Sequence, residues 1–139
     1  MTDTPKETPR EFAERLFRDL PRGDASAFAD RMADDGVFEI PFSLPGMPVR
    51  LVGPDEVRAH LARRWANVGE LEIHGTYQVI HETSDPEVVI VENDVDFTVK
   101  GERSRARTSI NVIRVRDGKM LLFRDYMNTA RSAAVLGPR

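Results

Sequence analysis

The chain has 139 residues, no cysteine and a formal net charge of -3 from 20 basic and 23 acidic residues. This length predicts a single domain over residues 1–139, and the absence of cysteine excludes disulfides, thiolate nucleophiles and thiolate metal sites. The slightly acidic balance argues against nucleic-acid binding, which depends on a basic surface. The polar N-terminus is unlike a signal peptide, and the apolar stretches are too short to cross a membrane. We therefore expect a cytoplasmic protein with neither a nucleic-acid nor a membrane partner.

Three helices are predicted in the first half of the chain. Thr8, Pro9 and Glu11 form a capping box that starts the first helix, and Asp24 caps a short second one. A strand and a loop rich in proline and glycine follow, and the third helix begins near Pro54. Apolar residues recur at helical spacing in all three: Phe12, Ala13, Leu16, Phe17 and Leu20, then Ala25, Phe28, Ala29 and Met32, then Val57, Leu61 and Trp65. The intervening strand is predicted to run from Val37 to Phe42.

From Leu71 onward the apolar period changes to two, which predicts a series of strands. The pairs Lys100-Gly101 and Asp117-Gly118 predict two-residue hairpin turns between the last three strands. The resulting order is α-α-β-α-β-β-β-β. It predicts an α+β domain in which the helices pack on one face of an antiparallel sheet.

The two hairpin turns fix which side chains share a face of the sheet. Counting outward from them, we expect Ile110 opposite Asp125 and Asn93 opposite Thr108. This face is otherwise apolar, and a large apolar surface with few polar groups is typical of a small-molecule pocket. A carboxylate there would be desolvated, so its pKa would rise towards the range that acid–base catalysis needs. The apolar members expected on this face are Val89, Val91, Val95, Phe97, Ala106, Ile110, Val112, Leu121 and Phe123.

The opposite face is expected to carry cross-strand ion pairs. Asp94 should face Arg107 and Asp96 should face Arg105, an arrangement typical of a solvent-facing surface or a subunit interface. A bulge or a longer turn in this hairpin would instead direct the acidic side chains of the strand, Glu92 included, into the pocket.

The candidate site residues also have structural interpretations. Asp125 could end a strand at the sheet rim and bond a backbone amide. His60 and Trp65 on the third helix could line the pocket or simply belong to the core. His74 and His81 are an odd number of residues apart, so a regular strand places them on opposite faces. No spacing of ligands suitable for a metal is present, and we expect no metal and no cofactor.

Several segments resemble the SnoaL-like branch of the nuclear-transport-factor-2-like superfamily. These are "MADDGVFEIPFSLPGMP", "LVGPDEVRAHL", "VRDGKMLLFRDYMN" and "AAVLG", and the match runs from about Glu11 to Gly137. The resemblance implies a curved antiparallel sheet wrapped over three helices, cone-shaped with an internal apolar cavity, and a dimer with sheet packed on sheet. Relatives include polyketide cyclases, ketosteroid isomerases, limonene-epoxide hydrolases and phenazine-biosynthesis A/B proteins. Most of them work without a cofactor or metal.

Carried over onto this sequence, the resemblance places a catalytic aspartate of the epoxide hydrolases on Asp125 in "FRDYMN". The arginine of that catalytic set has no equivalent here. Phe38 and Ile40 stand where those hydrolases have the tyrosine and asparagine that hold the attacking water. The resemblance therefore does not imply epoxide hydrolysis, and the ending of the chain is most similar to phenazine A/B and cyclase-like members.

These observations predict a cofactor-free acid–base enzyme of the isomerase, cyclase or dehydratase (lyase) type. Its substrate would be an apolar, carbonyl-containing or cyclic small molecule. Asp125 would be the catalytic acid or base, and Asn93 or Thr108 would donate hydrogen bonds to a developing oxyanion. The other expected pocket residues are Phe38, Ile40, His60, Trp65, Ile110 and Phe123. A non-catalytic ligand-binding protein and a dimerisation module of the same fold are the alternatives.

A homodimer is expected from the ion-paired face and from the resemblance. The buried surface would be the outer face of the sheet, which carries Arg105, Arg107 and Tyr126.

Overall fold

The computed structural model describes residues 6–20, 25–66 and 70–130. Within these ranges three helices pack against a curved, open sheet of six strands, which confirms the α+β class. The helices are α1 (Pro9–Asp19), α2 (Ala25–Ala29) and α3 (Pro54–Ala66). The strands are β1 (Met32–Glu39), β2 (Arg50–Val52), β3 (Leu71–Glu82), β4 (Val88–Val99), β5 (Glu102–Arg116) and β6 (Lys119–Met127). The Asp24 cap and the closing "AAVLG" lie outside the described residues. No helix in the described ranges is long and apolar enough to span a membrane.

The strands are arranged in the order β2-β1-β6-β5-β4-β3. Neighbouring strands run antiparallel except β1 and β6, which are parallel. Consequently β6 lies inside the sheet, between β1 and β5, although it is the last of the six strands along the chain. Local periodicity cannot predict this parallel pair, because it joins segments from opposite ends of the domain.

The core lies between the helices and the inner face of the sheet. The capping box of Thr8 and Glu11 starts α1 as predicted. The helix then buries Phe12, Leu16 and Phe17 against the sheet. Fully burying one such side chain stabilises the fold by roughly 1.5–3 kcal/mol, so this stripe fixes α1 on the inner face.

Strand β1 differs from the prediction at both ends. It begins at Met32, which was expected on the second helix, and Phe42 lies in an exposed turn beyond its end. Gly36 allows the close approach of β1 to β6, since a Cβ at this position would lie 2.8 Å from the carbonyl oxygen of Met120. The short strand β2 was not predicted, because its three residues carry no periodicity of their own.

Both predicted hairpin turns are confirmed. Lys100, Gly101, Asp117 and Gly118 all have positive φ, between 51° and 81°, as the favoured two-residue hairpin turn requires. Beyond the turns, however, each hairpin contains one unpaired residue.

The two unpaired residues are Thr108 in β5 and Leu121 in β6. Each shifts the register beyond it by one position, so Asn93 pairs with Ser109 instead of Thr108. Asp125 pairs with Asn111 instead of Ile110. A shift of one residue moves a side chain to the other face of the sheet.

The Thr108 bulge changes which residues of β5 face inward. Ile110 and Val112 turn to the outer face, while Asn111 and Ile113 become buried. The expectation that Ile110 and Val112 share the cavity face is therefore wrong. Asp94 and Asp96 lie between the Lys100-Gly101 turn and the bulge, where the pairing is regular. They therefore keep the predicted outward direction.

Candidate functional site: an apolar cavity with one acid

The inner face of the sheet and the helices enclose a cavity of about 300 Å³. This volume is at the lower end of the range typical of small-molecule sites. Its aromatic lining consists of Phe17, Phe28, Phe38, Trp65, Phe97 and Phe123. The cavity is therefore suited to an apolar ligand of about one or two rings.

Three of these aromatic rings form a packed cluster at one side of the cavity. Phe123 of β6 stacks on Phe38 of β1, with ring centroids 5.2 Å apart, and meets the edge of Phe28 at 5.0 Å. The parallel pairing of β1 and β6 places Phe38 directly beside Phe123. Such contacts give this part of the wall a defined shape.

The polar part of the lining is concentrated at one place. Among the described residues it consists of Arg64, Thr108, Ser109, Asn111 and Asp125. Four of these come from β5 and β6, and Arg64 comes from the last turn of α3. Asp125 is the single carboxylate in this described lining, so it is the candidate acid–base group.

Asp125 is held by a short relay of buried amides. Asn111 Nδ2 donates to Asp125 Oδ1 at 3.1 Å, and Asn111 Oδ1 accepts from Asn93 Nδ2. Asn111 and Asn93 are only 1% and 4% exposed. Because the Asn111 oxygen is directed at Asn93, its N–H group faces Asp125, and this orientation favours the ionised carboxylate as the hydrogen-bond acceptor.

The surroundings raise the pKa of Asp125 from its ordinary value of 3.8 to about 6. Burial is the main cause, because a mostly apolar wall does not supply the hydration that stabilises the charged carboxylate in water. The positive charge of Arg64 and the hydrogen bond from Asn111 act in the opposite direction. The balance leaves Asp125 ionised at neutral pH and basic enough to accept a proton.

The sequence-predicted pocket residues fall into three groups. Phe38, Trp65, Thr108 and Phe123 line the cavity together with Asp125. Asn93, Ile40 and His60 are buried behind the wall rather than in it. Ile110 is on the outer face and 38% exposed, because the Thr108 bulge turns it away.

The two predicted oxyanion donors are placed differently. Thr108 lines the cavity, and its hydroxyl lies 3.5 Å from the Asn93 carbonyl oxygen, at the limit for a hydrogen bond. Asn93 instead directs its Nδ2 at Asn111, with Ser109 Oγ 3.4 Å away. Asn93 therefore supports the relay, while Ser109 joins Thr108 as a hydroxyl in the cavity wall.

His60 packs beside Phe38, with ring centroids 6.0 Å apart. Burial lowers its pKa to about 4, and the nearby charges of Arg64 and Arg63 add to this effect. His60 is thus neutral at physiological pH. Its Nε2 is buried and has no hydrogen-bond partner among the described residues.

Sequence reasoning did not find Arg64, Ser109 and Asn111. The sequence does indicate the direction of Arg64, because it follows Leu61 by three residues and so lies on the same face of α3, which lines the cavity. The sequence contains no comparable pattern for Asn111, whose inward direction results from the bulge at Thr108. Within residues 6–20, 25–66 and 70–130, no group of three histidine or acidic side chains is arranged to hold a metal.

Comparison with known proteins places this fold in a family. Residues 13–123 match the model of the SnoaL-like domain. An uncharacterized PhzA/B-like protein of Pseudomonas aeruginosa is 35% identical over 130 residues, which cover 92% of this chain and 89% of the relative.

Two solved structures show the same fold at low sequence identity. A proposed isomerase from Bacillus subtilis has a TM-score of 0.79 and 22% identity, covering 93% of this chain and 92% of that one. TerC, co-crystallized with polyporic acid, has a TM-score of 0.72 and 16% identity, covering 92% and 97%. The chain therefore belongs to the SnoaL-like family.

Proposed function

We propose that the protein is a cofactor-free acid–base enzyme that moves a proton on an apolar, carbonyl-containing or cyclic small molecule. The observation that carries this proposal is Asp125, a carboxylate of raised pKa in an otherwise apolar cavity, with one oxygen bonded to Asn111. Its other oxygen accepts no hydrogen bond from Asn111 and is available to a substrate proton. Perturbed acids in clefts are frequent at catalytic sites.

The proton transfer follows from the chemistry of the wall. The Asp125 carboxylate would accept a proton from the carbon next to a substrate carbonyl, and the electrons of the broken C–H bond would form an enolate. The hydroxyls of Thr108 and Ser109 would donate hydrogen bonds to the enolate oxygen. Asp125 would then return its proton, so the enzyme is regenerated without a cofactor.

The fate of the enolate distinguishes three reaction types. Return of the proton to a different carbon is an isomerisation, and attack on a second carbonyl is a cyclisation. Loss of a β-hydroxyl group as water is a dehydration, a lyase reaction. The isomerase description of the Bacillus subtilis structure is compatible with the first type.

Proton abstraction can be measured without the natural substrate. The probe is 2-tetralone, an apolar bicyclic ketone, and the readout is deuterium incorporation next to its carbonyl in D₂O by NMR. Wild-type protein should accelerate incorporation over buffer, and Asp125→Asn should not. Incorporation that is no faster with the wild type than with buffer, or equally fast in both proteins, would contradict the proposal.

A ligand-binding protein without catalysis is the second candidate. It is favoured by the single carboxylate in the described cavity wall, since most acid–base enzymes use more than one polar catalytic group. In that case 2-tetralone would change the fluorescence of Trp65, the single tryptophan of the chain, while deuterium incorporation stayed at the buffer rate.

We further propose a homodimer that buries the outer face of the sheet. This face carries ion pairs such as Arg107–Glu92 at 2.6 Å, and Arg105 lies 3.9 Å over the ring of Tyr77. It also exposes apolar side chains, with Val79 of β3 and Ile110 of β5 accessible on either side of β4. A surface of this mixed composition is typical of a subunit interface. A non-catalytic dimerisation module would use the same face.

A further inference from the structure

The cavity has a polar end and an apolar end. Its polar lining residues from the sheet lie together on β5 and β6: Thr108, Ser109, Asn111 and Asp125. The charge of Arg64 acts at the same end, because it lowers the pKa of Asp125. The described lining from β3 and β4 is entirely apolar and consists of Leu71, Ile73, Val95 and Phe97. A ligand in this cavity therefore meets hydrogen-bonding side chains of the sheet at one end only.

The register of the sheet gives the distance between these two ends. Asp125 pairs with Asn111, which in turn pairs with Val91 of β4. Phe97 lies six residues further along β4 and pairs with Ile73 of β3. At about 3.3 Å per residue, the two places on the cavity wall are about 20 Å apart along the strand direction. The cavity is therefore longer than a two-ring molecule.

The apolar end reaches the surface of the protein. Ile73 lines the cavity and is 41% exposed, whereas Phe97, its partner on β4, is 4% exposed. The wall at this end thus continues from a buried side chain to one that contacts water. A ligand that extends as far as Ile73 would remove this apolar surface from water, which favours binding.

We infer that the substrate is an elongated carbonyl compound with an apolar chain at the end of the molecule opposite its reacting carbonyl. The carbon that loses its proton lies beside Asp125, and the chain extends along Val95 to Ile73. This inference rests on the proposed function, since it names the substrate class of the same site. Burial of the methylene groups supplies affinity, and the polar end of the cavity sets the orientation of the carbonyl.

The test compares two isomers that have the same apolar groups and different shapes. They are 6-hexyl-2-tetralone, in which the chain continues the long axis of the ketone, and 8-hexyl-2-tetralone, in which the chain projects sideways. The dissociation constants of both isomers and of 2-tetralone are measured by calorimetry. The 6-hexyl isomer should bind at least about tenfold more tightly than 2-tetralone, because each buried methylene contributes about fourfold. The 8-hexyl isomer should show no such gain.

Variants locate the chain within the cavity. Val95→Phe adds a ring in the path of the chain and should weaken binding of the 6-hexyl isomer at least about tenfold. Binding of 2-tetralone should be unchanged, which also shows that the polar end of the cavity is intact. Val52→Phe is the matched control, because it makes the same substitution at an exposed residue of β2 that does not line the cavity. It should leave all three affinities unchanged.

Three results would overturn the inference: equal binding of the two isomers by the wild type, a 6-hexyl isomer that binds no more tightly than 2-tetralone, or equal losses in the two variants. If Val95→Phe fails to fold, the wild-type comparison of the two isomers still decides. Deuterium incorporation into 2-tetralone without preference for the 6-hexyl isomer would refute the substrate class alone. Preference for the 6-hexyl isomer without any incorporation would refute the proposed catalysis alone.

Discussion

Asn111 donates its side-chain N–H to Asp125 at 3.1 Å because the Leu121 bulge brings these two residues opposite each other on β5 and β6, and the Thr108 bulge turns Asn111 to the inner face. In a regular ladder the partner of Asp125 would be Ile110, which has no polar side chain. The bulges therefore exchange an apolar neighbour for a hydrogen-bond donor at the one acid of the described cavity wall. Bulges that redirect a side chain are frequent next to active sites.

The first prediction concerns the stability of Asp125→Asn. The pKa of Asp125 is about 6 in the folded protein and 3.8 when unperturbed. The folded state thus holds the proton more tightly, and the contribution of this group to stability is lost as pH rises through 6. Above pH 6 we expect the variant to be more stable than the wild type by on the order of 2–3 kcal/mol.

Urea denaturation at several pH values checks this prediction. The advantage of Asp125→Asn should shrink as the pH falls from 6 to 4, because the wild-type carboxyl becomes neutral. Asp117→Asn is a suitable control, since Asp117 is an exposed acid in a hairpin turn. A stability difference that does not vary with pH would contradict the prediction.

The second prediction concerns the pH dependence of proton abstraction. If ionised Asp125 is the base, kcat/KM for deuterium incorporation should rise with pH and level off above an apparent pKa of about 6. His60 should not contribute to this profile, because its pKa of about 4 keeps it neutral throughout. A profile that falls through this range would identify protonated Asp125 as the active form instead.

The third prediction concerns Asn111 as a positioning residue. Asn111→Leu removes the hydrogen bond that stabilises the carboxylate, so the pKa of Asp125 should rise. A hydrogen bond to a charged group contributes about 1.5–3 kcal/mol, which corresponds to an upward shift of the acidic limb by about 1–2 pH units. The measurement is the pH profile of deuterium incorporation into 2-tetralone.

Two further variants make this result specific. Asn128→Ala removes an exposed asparagine beyond the end of β6 and should leave the profile unchanged. Asn93→Leu removes the group that orients Asn111 and should shift the profile in the same direction as Asn111→Leu, by a smaller amount. A general loss of rate in Asn111→Leu with an unmoved profile would show that Asn111 has only a structural role.

A feature of this site can be predicted from the sequence when residues close together in the chain determine it, and not when distant segments determine it. Turns at Lys100-Gly101 and Asp117-Gly118 are local, and the ion pair between Asp94 and Arg107 follows directly from the first of them. The bulges at Thr108 and Leu121 have no local signature. Bulges bend a strand, so their positions depend on the curvature of the whole sheet. The pairing of Asp125 with Asn111 therefore could not be predicted from the sequence.

The packing of the helices is also easier to predict from the sequence than the order of the strands. The stripe of α1 is visible in the sequence because one helix face contacts one surface. The position of β6 beside β1 is a relationship between distant segments, so the proximity of Phe38 and Phe123 appears only in the folded chain. The inward direction of Arg64 lies between these cases, since its spacing from Leu61 was visible but a charged residue is normally assigned to the solvent.

The fourth prediction concerns the homodimer. Sedimentation at micromolar concentration should give about twice the chain mass of 15.7 kDa. Ile110→Asp places a charge at the centre of the outer face and should produce a monomer with unchanged circular dichroism. Val49→Asp alters an exposed apolar residue in the loop before β2 and should leave the dimer intact. A wild-type monomer would contradict the proposed interface.

The fifth prediction concerns metal dependence. Deuterium incorporation into 2-tetralone should survive dialysis against EDTA, because proton transfer by Asp125 needs no metal. A loss of activity that one particular divalent cation restores would contradict the mechanism.

The parallel pairing of β1 and β6 has a consequence for biosynthesis. Strand β6 is synthesised last of the six and carries Asp125. It nevertheless lies in the interior of the sheet, where it is the second neighbour of β1 besides β2. While the ribosome is still synthesising residues before β6, the aromatic cluster lacks Phe123 and the sheet is divided into two unjoined parts. Long-range pairing of this kind slows folding. We therefore expect a nascent chain to expose its cavity wall to chaperones until β6 emerges, and catalytic competence to appear in the same step as the complete six-stranded sheet.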